Sequence, residues 1–431
     1  MKLSTLVFIP IVLALYGCSQ TMQVSPMKDL SLPQQASYYL QNNDENIMNR
    51  SRFKNLLKEE YLNKYFYVWK NNFKPTKAEE MFWGVSIGKG FGESKRKLDD
   101  EFFNKLVENM QIDSYPSMQK RAIMLKTTNV RLMPTIKPRY STIDGYPFDR
   151  WQNSLIFAYT PVIVLHIDKT KKWYLIQSSF VSGWVKHDEI AFLNDVSVKN
   201  ALNQRRFLVP NKDYIPLYDN EGNFIENARI GMLFESKSAN EIYIYSSDKN
   251  KMAVKTLVKV DSRDFNNFPM KLNDENIART IDSLNLENYG WGGMYGNRDC
   301  SSFVRDIFMN FGIWLPRNSK AQVNYAGKNY GKYMELPENR DEKVNFIIRN
   351  AIPFKTILWQ NGHVMLYIGN INNKILVVHD VWGVNTSQGF EVLGGITITT
   401  LEPGKEKNDA NDAPLTLLEK IQAMNVLLDY K

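Results

Sequence analysis

An uninterrupted apolar run, Leu6 to Tyr16, follows a single early cation, Lys2. A bilayer span needs about 20 apolar residues, so a run this short predicts an export signal over 1–17 rather than a membrane helix. Beyond a polar linker at 18–30, apolar residues return at helical spacing. Phe53, Leu57, Tyr61 and Tyr65 share one helix face, and Phe102, Phe103, Leu106 and Val107 make a second stripe. The pattern predicts a mostly helical region over 31–115 whose aromatic stripes are core. Gly88 to Gly92 (Gly-Lys-Gly-Phe-Gly) lacks the strand and acidic partner of a nucleotide loop and reads as a flexible loop.

From about Arg121 the period shortens. Val130 and Leu132, Val162 to Ile167, Trp173 to Gln177, and Gly183-Trp184-Val185 are short runs between turn residues, the texture of a small β barrel over 116–198. The Gly-Trp-Val element and Asn129-Val130-Arg131-Leu132 resemble bacterial SH3-like domains. A second all-β stretch, with runs at Ile230 to Phe234, Glu241 to Tyr245 and Met252 to Val260, predicts another such barrel over 199–264. His166 and His187 fall in the first barrel and read as structural or exposed. Residues 265–431 return to mixed character: a helix near Ile277 to Leu284, a Gly-rich loop, a helix from Cys300, then two strands. That is an α+β domain. The expected architecture is multidomain, with a helical N-terminal region, two small barrels and a C-terminal α+β domain.

The 431 residues, 43% hydrophobic and 13% aromatic, suffice for several cores. A formal charge of +8 favours anionic surfaces such as phospholipid headgroups or wall polymer, and without a Lys/Arg stripe nucleic acid is not an expected partner. Four scattered histidines and no paired cysteines supply no zinc set, so neither metal nor cofactor is expected.

The two cysteines have separate settings. Leu15-Tyr16-Gly17-Cys18 closes the apolar run and resembles the lipobox of bacterial lipoproteins, in which the cysteine is acylated and becomes the N-terminus. The bland alternative is an ordinary signal peptide with a chance cysteine. Lipidation at Cys18 implies a cell-envelope protein held on a membrane by acyl chains, and Ser19, which is not aspartate, favours the periplasmic face of an outer membrane. Cys300 then has no partner within the chain. A buried inert thiol is the alternative to catalysis.

Asp299 precedes Cys300, and Phe303, Val304, Ile307, Phe308 and Phe311 follow at helical spacing. Asp299 is therefore a natural N-cap, with Cys300 in the first turn, where free backbone N–H groups and the helix dipole favour a thiolate and can hold an oxyanion. Gly362-His363-Val364 opens an alternating strand. Asn370 to Lys374 reads as a turn, and Ile375 to Val381 returns with His379. For a three-residue loop the register parity puts His363 and His379 on one face, giving nucleophile, base and orienting group.

Asp299-Cys300-Ser301, Gly362-His363-Val364 and His379 together resemble the catalytic blocks of NlpC-type cell-wall cysteine peptidases, which have a papain-like fold. The order of lipobox, helical region, two SH3-like barrels and peptidase resembles a multidomain subgroup of that family. The resemblance implies Cys300 as nucleophile, His363 as base and His379 as its orienting residue. It also implies that Tyr289 helps bind the oxyanion and Trp291 lines the pocket. Asp299 and Ser301 would bind the free amine and backbone of the substrate, and Ser319 would contact its diamino acid end. The implied activity is cleavage of the γ-D-glutamyl bond to diaminopimelate in murein stem peptides with a free N-terminal L-Ala, by a monomer. Tyrosines of the barrel and Trp151 are candidate wall residues. Ser302 departs from the glycine that many relatives carry. The rival readings are an idle murein-binding lipoprotein, and an amidase or acyltransferase using the same thioester.

Overall fold

The computed structural model describes residues 26–41, 51–409 and 413–427; the Leu6–Tyr16 run and Cys18 lie outside them. The chain is multidomain, with a helical N-terminal region, a β-rich middle built of two barrels, and a C-terminal domain of helices on a sheet.

The N-terminal region is less helical than its stripes suggest. Helices span Ser51–Tyr65 and Asp100–Met110, and between them only Ala78–Met81 and short 3-10 turns are regular. Phe66, Trp69, Phe73, Met81 and Phe82 are all buried although this stretch is mostly turns, so the chain wraps a core shared with both barrels. The glycine-rich stretch is ordered rather than flexible: Phe91 exchanges backbone hydrogen bonds with Tyr140 at 2.9 and 2.8 Å. A Cβ on Gly90 would lie 2.2 Å from the Tyr140 carbonyl. The described end of the segment expected as a linker, 26–30, also docks, as does Gln34 just beyond it. Met27 is buried, Asp29 accepts from the Thr400 backbone at 2.7 Å, and Gln34 brackets Ile398 with 2.8 and 3.0 Å bonds. These contacts cover an exposed sheet edge.

Seven antiparallel strands form the first barrel, between Lys120–Met124 and Ile190–Phe192. Strand Pro161–Ile167 reads as a continuous apolar run because both faces are buried. Val162 and Val164 face the barrel core, and Ile163 and Leu165 the core shared with the N-terminal region. His166 is buried, with Nε2 at 2.8 Å from the Met110 carbonyl, a structural role. A helix, Asp195–Leu202, runs across the boundary expected at 198, capped by Asn194.

In the second barrel a five-stranded sheet extends to Phe265–Asn267, which pairs with Phe207–Pro210 three residues beyond the expected limit. Ile230 to Phe234, expected as a strand, is a turn, and the strand begins at Phe234. Gly231 sits there at φ +96, and a Cβ on it would meet Asp306 Cγ at 2.7 Å. Only glycine lets this turn approach helix Cys300–Met309 so closely.

The C-terminal sheet has six strands where two were expected: β1 (Gly331–Glu335), β2 (Thr356–Gln360), β3 (His363–Ile371), β4 (Lys374–Thr386), β5 (Gly389–Thr400) and β6 (Ala423–Leu427), in the order β1-β6-β2-β3-β4-β5. Helix Cys300–Met309 packs on β3 and β4 through Phe303, Val304 and Ile307, all fully buried.

Candidate active site

Asp299 caps the Cys300 helix as its sequence predicts. Its carboxylate accepts from Ser302 N at 2.9 Å, and Ser302 Oγ accepts from Asp299 N at 2.8 Å. Ser302 thus completes a capping box that glycine could not make. Gly292 N adds a 3.1 Å bond to the same carboxylate. Arg317 then grips it with both terminal nitrogens, at 3.0 and 2.7 Å. Burial alone would raise the Asp299 pKa, but the Arg317 charge and hydrogen bonds outweigh it and hold the carboxyl at about 2. Arg317 also donates to Ser301 Oγ at 2.7 Å and to Ser154 Oγ of the first barrel at 2.7 Å. Asp299 and Ser301, expected to receive a substrate amine and backbone, are therefore already engaged by an arginine.

Cys300 is 7% exposed and lies against the start of β3, where the Val364 backbone N–H bonds to it. Burial, followed by the Asp299 carboxylate, pushes the thiol from its ordinary 9.0 up to about 12. That rise corresponds to about 4 kcal/mol against the thiolate, more than the ~2 kcal/mol that a well-placed helix N-terminus supplies. Burial thus favours the neutral thiol and works against the helix start, which favours the thiolate.

His363 begins β3, and His379 lies on the neighbouring β4. The connection is a two-residue turn, Asn372-Asn373, both at positive φ, rather than the three-residue loop the sequence suggested. That turn pairs Ile371 with Lys374, a register that would put Leu366 opposite His379 and His363 on the far face. A bulge corrects it. Ile368 is the extra residue, Gly369 follows at φ +134, and beyond it Leu366 pairs with Val378. The two histidines then share a face, with His363 Nε2 2.8 Å from His379 Nδ1.

Thr399 on β5 was not foreseen. Its Oγ1 lies 3.1 Å from His379 Nε2 and donates its own proton to the Thr400 carbonyl at 2.7 Å. A hydroxyl has one proton, so Thr399 must accept from His379 Nε2–H. His379 Nδ1 is then the acceptor for His363 Nε2–H, and His363 Nδ1 is left as the basic nitrogen. Burial pulls His363 down to about 4 and holds His379 well below the usual imidazole range. Burial thus favours the neutral form of both rings, the form this relay requires.

Tyr289 and Trp291 line the cleft of about 490 Å³ that reaches Cys300, as does Ser319 at the start of helix Ser319–Asn329. Burial, with the Asp299 charge, raises the Tyr289 hydroxyl well above its usual pKa, keeping it a proton donor. Trp291 Nε1 donates to the Asp149 carbonyl of the first barrel at 2.9 Å. Trp151 is no wall residue: it is fully buried and stacked 6.4 Å from Phe103, while Arg150, Gln152 and Asn153 face the cleft.

A buried ion cluster fixes the loop before Cys300. Arg298 is 1% exposed and bonds Asp213 of the second barrel at 2.8 Å, Glu287 at 2.6 Å and Asp306 at 2.9 Å. Asp213 also takes Arg229 Nε at 2.6 Å. Next to His379, Asp380 is fully buried, and among the described residues neither of its oxygens has a partner. Burial, then the nearby Asp299 charge, raises its pKa well above the ordinary carboxyl value.

Comparison with known proteins fits this geometry. Residues 287–388 match the NlpC/P60 family, 5–115 its N-terminal stabilising domain, 138–186 an SH3 domain of SH3b1 type and 180–239 one of SH3b2 type. An NlpC/P60 endopeptidase structure from Photobacterium damselae subsp. piscicida is similar over 91% of this chain and 96% of its own, at 24% identity and TM-score 0.79, and so shares the fold. An NlpC/P60 family protein from Bacillus cereus ATCC 10987 aligns over 65% of this chain and 83% of its own, at 13% identity and TM-score 0.44. Among curated proteins, none matches. With its cysteine and histidine pair in an NlpC/P60 domain behind two SH3-like barrels, the chain belongs to the NlpC/P60 family of cell-wall cysteine peptidases.

Proposed function

We propose that the protein is a thiol endopeptidase of murein stem peptides that cleaves the γ-D-glutamyl bond to diaminopimelate. The observation that carries the reading is the relay from His363 through His379 to Thr399, which leaves a basic Nδ1 on the residue beside the Val364 N–H that bonds Cys300. In the first step Cys300 gives its proton to His363 Nδ1 as sulfur attacks the γ-carbonyl carbon. The oxyanion is held by backbone N–H groups of the helix start and by the Tyr289 hydroxyl. Collapse breaks the C–N bond, and the diaminopimelate amine leaves with the proton from His363. Water, deprotonated by His363, then hydrolyses the γ-glutamyl thioester.

Barrel residues beside the cleft favour a peptide end over a continuous strand, so stem peptides with a free N-terminal L-Ala are the expected substrates. The protein acts as a monomer in the cell envelope, anchored through acylated Cys18 on the periplasmic face of the outer membrane. Mass spectrometry of L-Ala-γ-D-Glu-diaminopimelate and its N-blocked form, incubated with wild type and Cys300→Ala, tests the reading. Release of L-Ala-D-Glu by wild type alone is expected. Cleavage by Cys300→Ala, or products joined to an added amine, would overturn it.

A further inference from the structure

Among the described residues the cleft is lined by one carboxylate and two guanidinium groups, and their pairing is unequal. Asp299 and Arg317 neutralise each other through two bonds. Arg150 remains. It is exposed, it faces the cleft, and among the described residues no carboxylate pairs with it. Its guanidinium lies 5.1 Å from the centre of the Trp291 ring, on the barrel wall.

The turn that carries Arg150 is rigidly built. The Asp149 side chain is bonded to Arg131 at 2.6 Å and accepts the Arg139 and Trp151 backbone N–H groups, both at 2.9 Å. Arg150 N donates to the Arg139 carbonyl at 2.7 Å. Phe148 meets the Trp291 ring edge-on at 5.2 Å, and Trp291 Nε1 is bonded to the Asp149 carbonyl. The barrel thus presents a cation in fixed relation to the catalytic loop, two residues past Tyr289. A stacked guanidinium sheds water more readily than an ammonium and offers a planar fork that matches a carboxylate.

We propose that Arg150 is a specificity residue that recognises a free carboxylate on the acyl half of the substrate. The proposal rests on the murein-peptide reading, in which the γ-linked glutamyl residue carries an unblocked α-carboxylate beside the scissile carbonyl. Amidation of that group to a carboxamide keeps its shape and removes its charge.

The test measures kcat/KM of the full chain on L-Ala-γ-D-Glu-diaminopimelate and on the same peptide with the glutamyl α-carboxylate amidated. Wild type should prefer the carboxylate at least about tenfold, the scale of one charged hydrogen bond. Arg150→Gln should bring the two peptides within about twofold by raising KM for the carboxylate form, and Arg150→Lys should restore part of the preference. A wild type indifferent to amidation, or a preference unchanged in Arg150→Gln, would overturn the proposal while leaving the bond assignment standing. Cleavage of neither peptide by wild type would overturn the bond assignment, and this proposal with it.

Discussion

His363 Nε2 lies 2.8 Å from His379 Nδ1, so the base we propose is held by a second imidazole rather than by a carboxylate. A neutral imidazole accepts at only one nitrogen, and what fixes that nitrogen is the Thr399 hydroxyl on the next strand. The base is set by a row of three side chains across β3, β4 and β5.

Thr399→Val removes the acceptor for His379 Nε2–H and frees that ring to invert. We expect kcat to fall at least about tenfold with KM within twofold, because the change touches the base and not the cleft. Thr399→Ser should retain most of the activity. A valine variant with wild-type kcat, or one whose imidazole nitrogen NMR shifts match wild type, would sink the relay.

The acid limb of kcat/KM should lie well below the ordinary imidazole pKa of ~6.5. Turnover needs His363 unprotonated, and burial lowers it to about 4, so activity rises with pH through that region. The same shift acts on stability. The unfolded chain binds the proton more readily between the two values, so this contribution is present above the unfolded pKa and lost as pH falls. A pH–rate profile with its acid limb at or above ~6.5 contradicts the buried neutral base.

Asp380 titrates in the opposite sense. Burial favours its protonated form in the fold while the unfolded chain ionises it above ~4, so the native state loses stability as pH rises from there. In Asp380→Asn the stability relative to wild type should grow between pH 4 and pH 7. Thermal unfolding at the two pH values decides it; a difference that does not vary with pH rejects the protonated state.

Removing the Asp213 carboxylate leaves Arg229 and Arg298 buried without one of their shared partners. Asp213→Ala should cost about 3–5 kcal/mol in chemical denaturation. It should also lower kcat, since Arg298 adjoins the Asp299 cap. A variant of wild-type stability and rate would mean that Glu287 and Asp306 suffice.

The sequence made short-range features plain. Asp299 as cap and Cys300 as first-turn residue needed only one acidic residue and a 3.6 period. The His363 and His379 pairing was inferred correctly from an incorrect turn. A two-residue turn plus a one-residue bulge has the same parity as a three-residue loop, and Gly369 inside a strand and Asn372-Asn373 were the signals available. Thr399 was hidden because its role depends on a neighbouring strand the pattern had not resolved. Arg317 stood in view beside Ser319, but its partners Ser154 and Asp299 are brought to it only by the tertiary fold. The mostly helical reading of the N-terminal region overstates helix between 66 and 99, where short turns wrap a core shared with the barrels.

Arg298, one residue before the cap of the Cys300 helix, draws a counter-ion from the second barrel, and Gly231 of that barrel abuts Asp306 with no room for a side chain of its own. These parts are therefore poor candidates for exchange by recombination. A lineage that traded this barrel for another would take from Arg298 one of its three buried counter-ions, beside the Cys300 helix, so barrel and peptidase should be inherited together and diverge as one unit.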